Sequence, residues 1–297
     1  MLGGVRLRRR KPGALVGLRR SLVEAHGKCE GMKETVITSR DNSLVKRARA
    51  VRDRKVEGLI FVGGLRLCEE AMGASLPVED VFCTERVAED ERGARLLHAL
   101  GGVSERITLM SDQVFASISD TKTPQGIALI AARPRTGAEL LVPHGAQIPL
   151  IIVMHGIGNP ANAGAILRTA EAAGATGAIT TRGSTDLFAP KALRGAMGSS
   201  FRLPLWTGAA FREVIDWCSA QGVRTVCADL RATRSHTEID WRVPRALILG
   251  GEAAGLAAED AEAADETLKI PMRPPVESLN VAVAAAIVLY EAARQRA

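Results

Sequence analysis

From Thr35 onward the chain alternates short apolar runs with polar, glycine-bearing breaks. Residues 43–55 (SLVKRARAVRDRK) predict a basic helix, and LIFVGG at 59–64 a short strand ending in two glycines. A helix over 65–72, a strand at 78–85, a helix at 111–119 opened by Ser111 and a strand at 126–134 closed by Pro134 follow. Such alternation predicts a compact α/β unit. Three prolines and two glycines at 134–149 then read as a linker. A second series begins with a strand at 149–157, a helix at 162–173, a strand at 177–181, a helix near 190–197 and the run FRLPL at 201–205. It continues with a helix at 210–220, strands at 223–230, 245–250 and 267–272, and a last helix from Leu279. Apolar runs of this length bounded by glycine predict buried parallel strands.

Charge changes the picture at the front of the chain. Of 297 residues, the first 34 carry nine Lys/Arg against three Glu, the whole of the net +6. Residues 35–55 add seven basic groups against Asp41 and Asp53. A basic front on a neutral body points to a polyanion met by the N-terminal part, although a solvated tail has the same composition. The expected organisation is a basic extension at 1–34, a small unit at 35–134 that would meet the polyanion, a linker at 135–148 and a larger unit at 149–297. Arg-rich, acid-poor residues 1–20 have the composition of a transit peptide or of a start-site extension before Met32. Five scattered cysteines show no metal spacing and read as core thiols of a reducing, cytoplasmic compartment. The longest apolar run, 281–290, is half of the ~20 residues a membrane span needs. Neither a membrane nor a metal is expected.

Three loops follow apolar strands of the second series, where parallel sheets place ligands. In HGIGNPANAG (155–164) Pro160 stiffens the loop and Asn162 is a candidate N-cap. Ile166, Ala170 and Ala173 form the core stripe of the helix beyond, which turns Arg168 away from the core. LILGGEAAGL (247–256) offers Gly250, Gly251 and Gly255 for close backbone approach to a ligand, with the carboxylate of Glu252 among them. In IPMRPPVESLN (270–280) Ser278 is a candidate cap for a last helix apolar all round from Val281 to Leu289, which predicts burial under the sheet or against a second subunit.

NPANAGAILRTAEAAGA, LILGGEAAGL and IPMRPPVESLNVAVAAAIVLYEA, in this order, resemble the three signature motifs of the SpoU family of RNA ribose 2′-O-methyltransferases. PKALRGAMGSSFRLP at 190–204 resembles the run between them. Upstream, SRDNSLVKRARAV and SDQVFASISDTKTPQGIALIA are similar to the substrate-binding domain of such enzymes, which is itself similar to kink-turn-binding ribosomal proteins. The resemblance implies a SPOUT α/β domain with a deep trefoil knot, working as a homodimer with S-adenosylmethionine as cofactor. It implies donor binding at Gly250, Ile270, Leu279 and Thr181, and polar active-site roles for Asn162, Arg168, Glu252, Ser278 and Asn280. Because arginine stays protonated, Arg168 is expected to stabilise charge and orient phosphate rather than act as a literal base. The front domain resembles those of ribosomal RNA enzymes, which implies large-subunit rRNA as substrate, with tRNA the alternative.

Two departures stand out: Gly158-Asn159 where the family often has an acid before the proline, and Pro274-Pro275 where many members have glycine. A nicotinamide-dependent dehydrogenase is the rival enzyme, since Gly156-x-Gly158 follows a strand and Arg182 could read a 2′-phosphate. Ala161 in place of the third glycine and the intervening Pro160 weigh against it. The third reading is a catalytically silent RNA-binding protein on the same fold.

Overall fold

The computed structural model describes residues 36–142, 145, 147–251 and 255–297. The basic extension and Cys29 lie outside these residues, as does Glu252. The chain forms two compact units, divided between Ala132 and Arg133.

The first unit holds α1 (Ser43–Arg52), β1 (Leu59–Gly63), α2 (Leu65–Gly73), β2 (Val78–Cys83), α3 (Glu85–Glu89), α4 (Glu91–Gly101), β3 (Ser104–Leu109), α5 (Asp112–Ile118) and β4 (Ile127–Ala132). Its sheet runs in the order β1-β4-β2-β3. β4 is antiparallel to β1 and β2, and β2 is parallel to β3. Val45, Ala48 and Val51 of α1 interlock with Val114, Phe115 and Ile118 of α5 over Phe61, Phe82 and Ile130. The residues between 85 and 109, which the hydrophobic pattern left unassigned, supply α3, α4 and β3. β3 was hidden because its pattern lacks an apolar run: only one of its six residues is fully buried.

The basic run of α1 is largely turned inward. Arg49 Nη2 donates to Ser117 Oγ (2.6 Å), while Arg52 Nη1 donates to the carbonyls of Ser117 (3.0 Å) and Ser119 (3.2 Å). Two guanidiniums thereby satisfy the C-terminal end of α5, where helix carbonyls lack partners. Arg47 pairs with Glu79 and, at 2.7 Å, with the buried Asp80. Lys46, Arg54 and Lys55 stay exposed.

The second unit contains β5 (Leu150–Met154), α6 (Pro160–Ala172), β6 (Gly177–Thr181), α7 (Pro190–Ala196), α8 (Ser199–Arg202), β7 (Leu205–Ala209), α9 (Phe211–Ala220), β8 (Arg224–Ala228), β9 (Arg245–Leu249), α10 (Ala258–Glu262), β10 (Glu266–Leu268) and α11 (Val281–Arg296). All six strands are parallel, in the order β10-β8-β9-β5-β6-β7. β5, β6 and β9 are buried at every position, as their unbroken apolar runs predict. The chain leaves β5 toward β6 on one side and returns to β9 on the other. That reversal makes a topological switch point, where open α/β sheets form ligand crevices.

Three local expectations change. FRLPL does not form a strand: α8 ends at Arg202, and β7 begins only beyond Pro204, which has no N–H to offer a ladder. The expected linker is partly structure. Residues 138–141 make a 3₁₀ turn, Leu141 enters the second unit's core, and Gly137 N donates to Leu205 O at 2.9 Å. The last helix is buried on one side only, through Ala285, Val288, Leu289 and Ala292, and it packs on α6. Its far end is clamped by Arg296, whose guanidinium donates to the carbonyls of Trp241, Ile148, Pro149 and Val243. Among the described residues no helix is long and apolar enough to cross a membrane.

Candidate active site

The turn after β8, the loop after β9 and the stretch from β10 into α11 converge beyond the carboxyl ends of their strands. They enclose a cavity of about 770 Å³. Gly250, Ile270, Ser278, Leu279 and Asn280 all line it, so two of the three loops singled out from sequence meet at one place. Leu249, Leu256, Leu268 and Met272 provide an apolar lining.

The glycines of the loop after β9 also allow close packing within the protein. A Cβ on Gly250 would lie 2.6 Å from the carbonyl carbon of Gly255, and one on Gly251 would lie 2.8 Å from Gly156 O. The close approach is backbone to backbone: the loop folds onto itself and onto the loop after β5. Any side chain at these positions would push the cavity wall apart.

Two expected caps also move by a few residues. Asn159, not Asn162, caps α6, its Oδ1 accepting from Ala161 N at 2.9 Å, with Pro160 at the first helical position. Asn280, not Ser278, caps α11, accepting from Ala282 N at 2.9 Å and Val283 N at 3.4 Å. Asn162 and Ser278 are therefore not spent on capping. Asn280 Nδ2 donates to Asn162 Oδ1 at 3.3 Å, which ties the start of α6 to the cavity rim. Gly158-Asn159, a departure from the family pattern, thus has a structural role through the Asn159 cap.

The remaining candidates lie apart. Arg168 stands about 9 Å along the α6 axis from Asn162 at 1.5 Å per residue. Its side chain is exposed, does not line the cavity, and has no hydrogen bond or ion pair among the described residues. Thr181 is 2% exposed and does not line the cavity. Its Oγ1 lies 2.9 Å from His155 Nδ1 and accepts from Gly156 N at 3.3 Å, so it supports the loop after β5.

Sequence reasoning missed Asp229 and Arg231, which also line the cavity. Asp229 Oδ1 accepts from Arg231 N at 2.8 Å and Oδ2 from Arg231 Nη2 at 2.7 Å. These bonds hold the Asp229 carboxyl below its usual range despite the opposing effect of burial. The signal was a lone carboxylate directly after a buried strand, VRTVCADL. Cys227 and Cys218 are poor nucleophiles, because burial pushes their thiols up to about 11 and about 12. Among the described residues no cluster of three or more His, Cys, Asp or Glu could hold a metal.

β10, the shortest strand, carries the chain into the cavity's third wall. Burial alone would raise the Glu266 carboxyl, but Arg245, Arg224 and Arg234 hold it below the usual range. Arg245 is itself only 4% exposed, so this is a buried pair that pins the strand.

A parallel sheet with a cavity beyond the ends of β8, β9 and β10 defines a ligand-binding domain of the α/β class. Residues 149–290 match the SpoU rRNA Methylase family, and residues 42–129 match the MRM3-like substrate binding domain. An uncharacterized tRNA/rRNA methyltransferase of Synechocystis is 32% identical, with 88% of this chain and 94% of that protein covered. The 23S rRNA (guanosine(2553)-2′-O)-methyltransferase RlmP of Bacillus subtilis is 30% identical over 82% of this chain and 92% of its own length. Among solved structures, an AdoMet-bound rRNA methyltransferase from Sinorhizobium meliloti superposes with a TM-score of 0.78 at 27% identity, covering 88% of this chain and 97% of that one. The chain belongs to the SpoU rRNA methylase family.

Proposed function

We propose that this protein transfers a methyl group from S-adenosylmethionine to a ribose 2′-hydroxyl of large-subunit rRNA. The observation that carries the reading is the cavity itself: Gly250, Ile270 and Leu279, from two separate loops, line one space of about 770 Å³. Its volume and its mixed lining, apolar at Leu249, Leu256 and Leu268 and polar at Asp229, Ser278 and Asn280, suit a nucleoside with a charged amino-acid end. S-adenosylmethionine bound there supplies a methyl group on a sulfonium that leaves readily. Leu249, Leu256 and Ile270 would hold the apolar part of the donor, with Gly250 and Leu279 offering backbone groups.

The ribose hydroxyl is a poor acid and has to be oriented and eased of its proton. Arg168, exposed and uncommitted, presents a fixed positive charge to an incoming phosphate or to the attacking oxygen. Asn162 and Asn280 hold each other, and with Ser278 they set polar groups at the cavity rim. Glu252 belongs to this polar set by its place in the motif.

The stretch 268–281 shares the cavity with the loop after β9, an arrangement that supports the deep trefoil knot of SPOUT enzymes as the path of this segment. α11 leaves Val283, Ile287 and Tyr290 on one uncovered face, with Val283 48% and Tyr290 57% exposed. That stripe supports a homodimer in which Arg168 serves the partner's donor site. The first unit takes the RNA, aided by exposed Lys46, Arg54 and Lys55, in the manner of kink-turn-binding proteins. Buried reduced thiols support a cytoplasmic setting. Mapping ribose methylation in cells with and without the gene tests the reading: one 2′-O-methyl site in large-subunit rRNA should vanish, and an unchanged rRNA map with a lost tRNA site would overturn the substrate.

A further inference from the structure

His155 is the first residue beyond β5, and it meets the loop after β9 at both of that loop's ends. Its backbone N–H donates to Leu249 O at 2.9 Å, at the point where β9 stops. Its Nε2 lies 3.1 Å from Asp260 Oδ2 on α10, where the loop has ended. On its other edge Nδ1 lies 2.9 Å from Thr181 Oγ1, and the ring packs against Phe211 at 4.4 Å between centroids. The imidazole is 23% exposed and Asp260 25%, so the pair is largely shielded from solvent. One tautomer satisfies every partner: Nε2–H donates to the carboxylate, Nδ1 accepts from the Thr181 hydroxyl, and that hydroxyl oxygen accepts from Gly156 N.

We infer that His155 is a positioning residue for the methyl donor, bracing the cavity wall at Gly250, Gly255 and Leu256 by holding Leu249 with its backbone and Asp260 with its ring. This rests on the reading of the cavity as the S-adenosylmethionine site. The physical reason is preorganisation. Gly250 packs on the backbone of Gly255 and Leu256, and Asp260 lies on α10 just beyond Leu256; with Asp260 held, this wall stays in place for the donor, and with it released, that order must be regained on binding. Gly251, close against Gly156 O, ties the start of the loop to the residue after His155.

Replacing His155 by Gln or Asn separates the two edges of the ring. Gln places an N–H near the position of Nε2 and keeps Asp260, whereas Asn places its amide near Nδ1 and keeps only Thr181. Calorimetric titration of S-adenosylmethionine into the full chain, with thermal melts alongside, reads affinity and binding-competent fraction separately. His155→Gln should stay within about threefold of wild type, while His155→Asn and Asp260→Ala should bind about tenfold more weakly at unchanged stoichiometry, the scale of one charge-assisted hydrogen bond. Wild-type affinity in His155→Asn and Asp260→Ala would overturn the inference. So would a fall in stoichiometry at unchanged Kd, which marks lost folding alone. A wild-type protein that takes up no S-adenosylmethionine would remove the donor-site reading itself, and this inference with it.

Discussion

Arg168 shows how one side chain changes meaning with its surroundings. Helical phase alone turns it to solvent, and the structure leaves it exposed on α6 without a partner among the described residues. A buried polar alternative would have been paired, whereas a group that must meet RNA has to be free beforehand. Arg168→Ala should slow single-turnover methyl transfer by about 100-fold, ~2.7 kcal/mol, while donor affinity stays within a factor of two or so. Arg168→Lys should recover only part of the rate, because an ammonium keeps the charge without the planar fork. A rate for the alanine variant within about threefold of wild type would return Arg168 to the solvated surface. Asn280 is the opposite case. Its oxygen caps α11, where the sequence pointed to Ser278, and its amide reaches Asn162, so both of its polar groups are spent inside the protein.

At the scale of elements, β10 has three residues and survives at a sheet edge because Glu266 meets three arginines. Replacing Glu266 by Gln leaves Arg245 buried and uncompensated, a change that should cost about 3 kcal/mol in chemical denaturation. The pH dependence has a definite sign. Glu266 and Asp265 are both held below their ordinary values, so their contribution is complete above about pH 4.5 and is lost as the pH falls through the lowered values. The wild-type melting temperature should therefore drop on acidification below pH 4.5 more steeply than that of Glu266→Gln. Parallel melting curves for the two would refute the assignment. The strand's shortness also explains why the apolar pattern extends it to six residues: TLKIPM is largely apolar, but beyond Leu268 the chain lines a cavity instead of a sheet.

For the molecule as a whole, exposed Val283 and Tyr290 of α11, with the half-buried Ile287 between them, set the expected assembly. The protein should sediment as a dimer, and Tyr290→Arg should shift it toward monomer. If Arg168 serves a partner's donor, mixing inactive Arg168→Ala with inactive Gly250→Ala subunits should restore up to about a quarter of wild-type activity, because one of the two sites in each heterodimer is intact. No recovery in a demonstrated heterodimer would place both residues in the same site. At the other end of the chain, deleting residues 1–31 should flatten the salt dependence of RNA binding, by about 0.7–0.9 in log–log slope for each phosphate the extension neutralises. The methylated nucleotide should stay the same; a moved site would make the extension a specificity element.

Periodicity and turn chemistry were enough to divide the chain into two α/β series and to mark the second as a parallel sheet. They were also enough to find the loops at 247–256 and 270–280, because buried strands need apolar runs and tight loops need glycine and proline. They did not place α3, α4 and β3: β3 lacks an apolar run and α3 is five residues long, whereas Leu96, Leu97 and Leu100 give α4 an apolar stripe that was legible. Nor could they show that Gly250 and Gly251 pack against backbone, that α1 arginines hold α5, or that Asp229 and His155 stand beside the loop after β9. Those facts depend on which residues distant in sequence come within hydrogen-bonding reach. Local sequence sets the elements, and only their packing decides which polar groups are used up internally and which remain for a ligand.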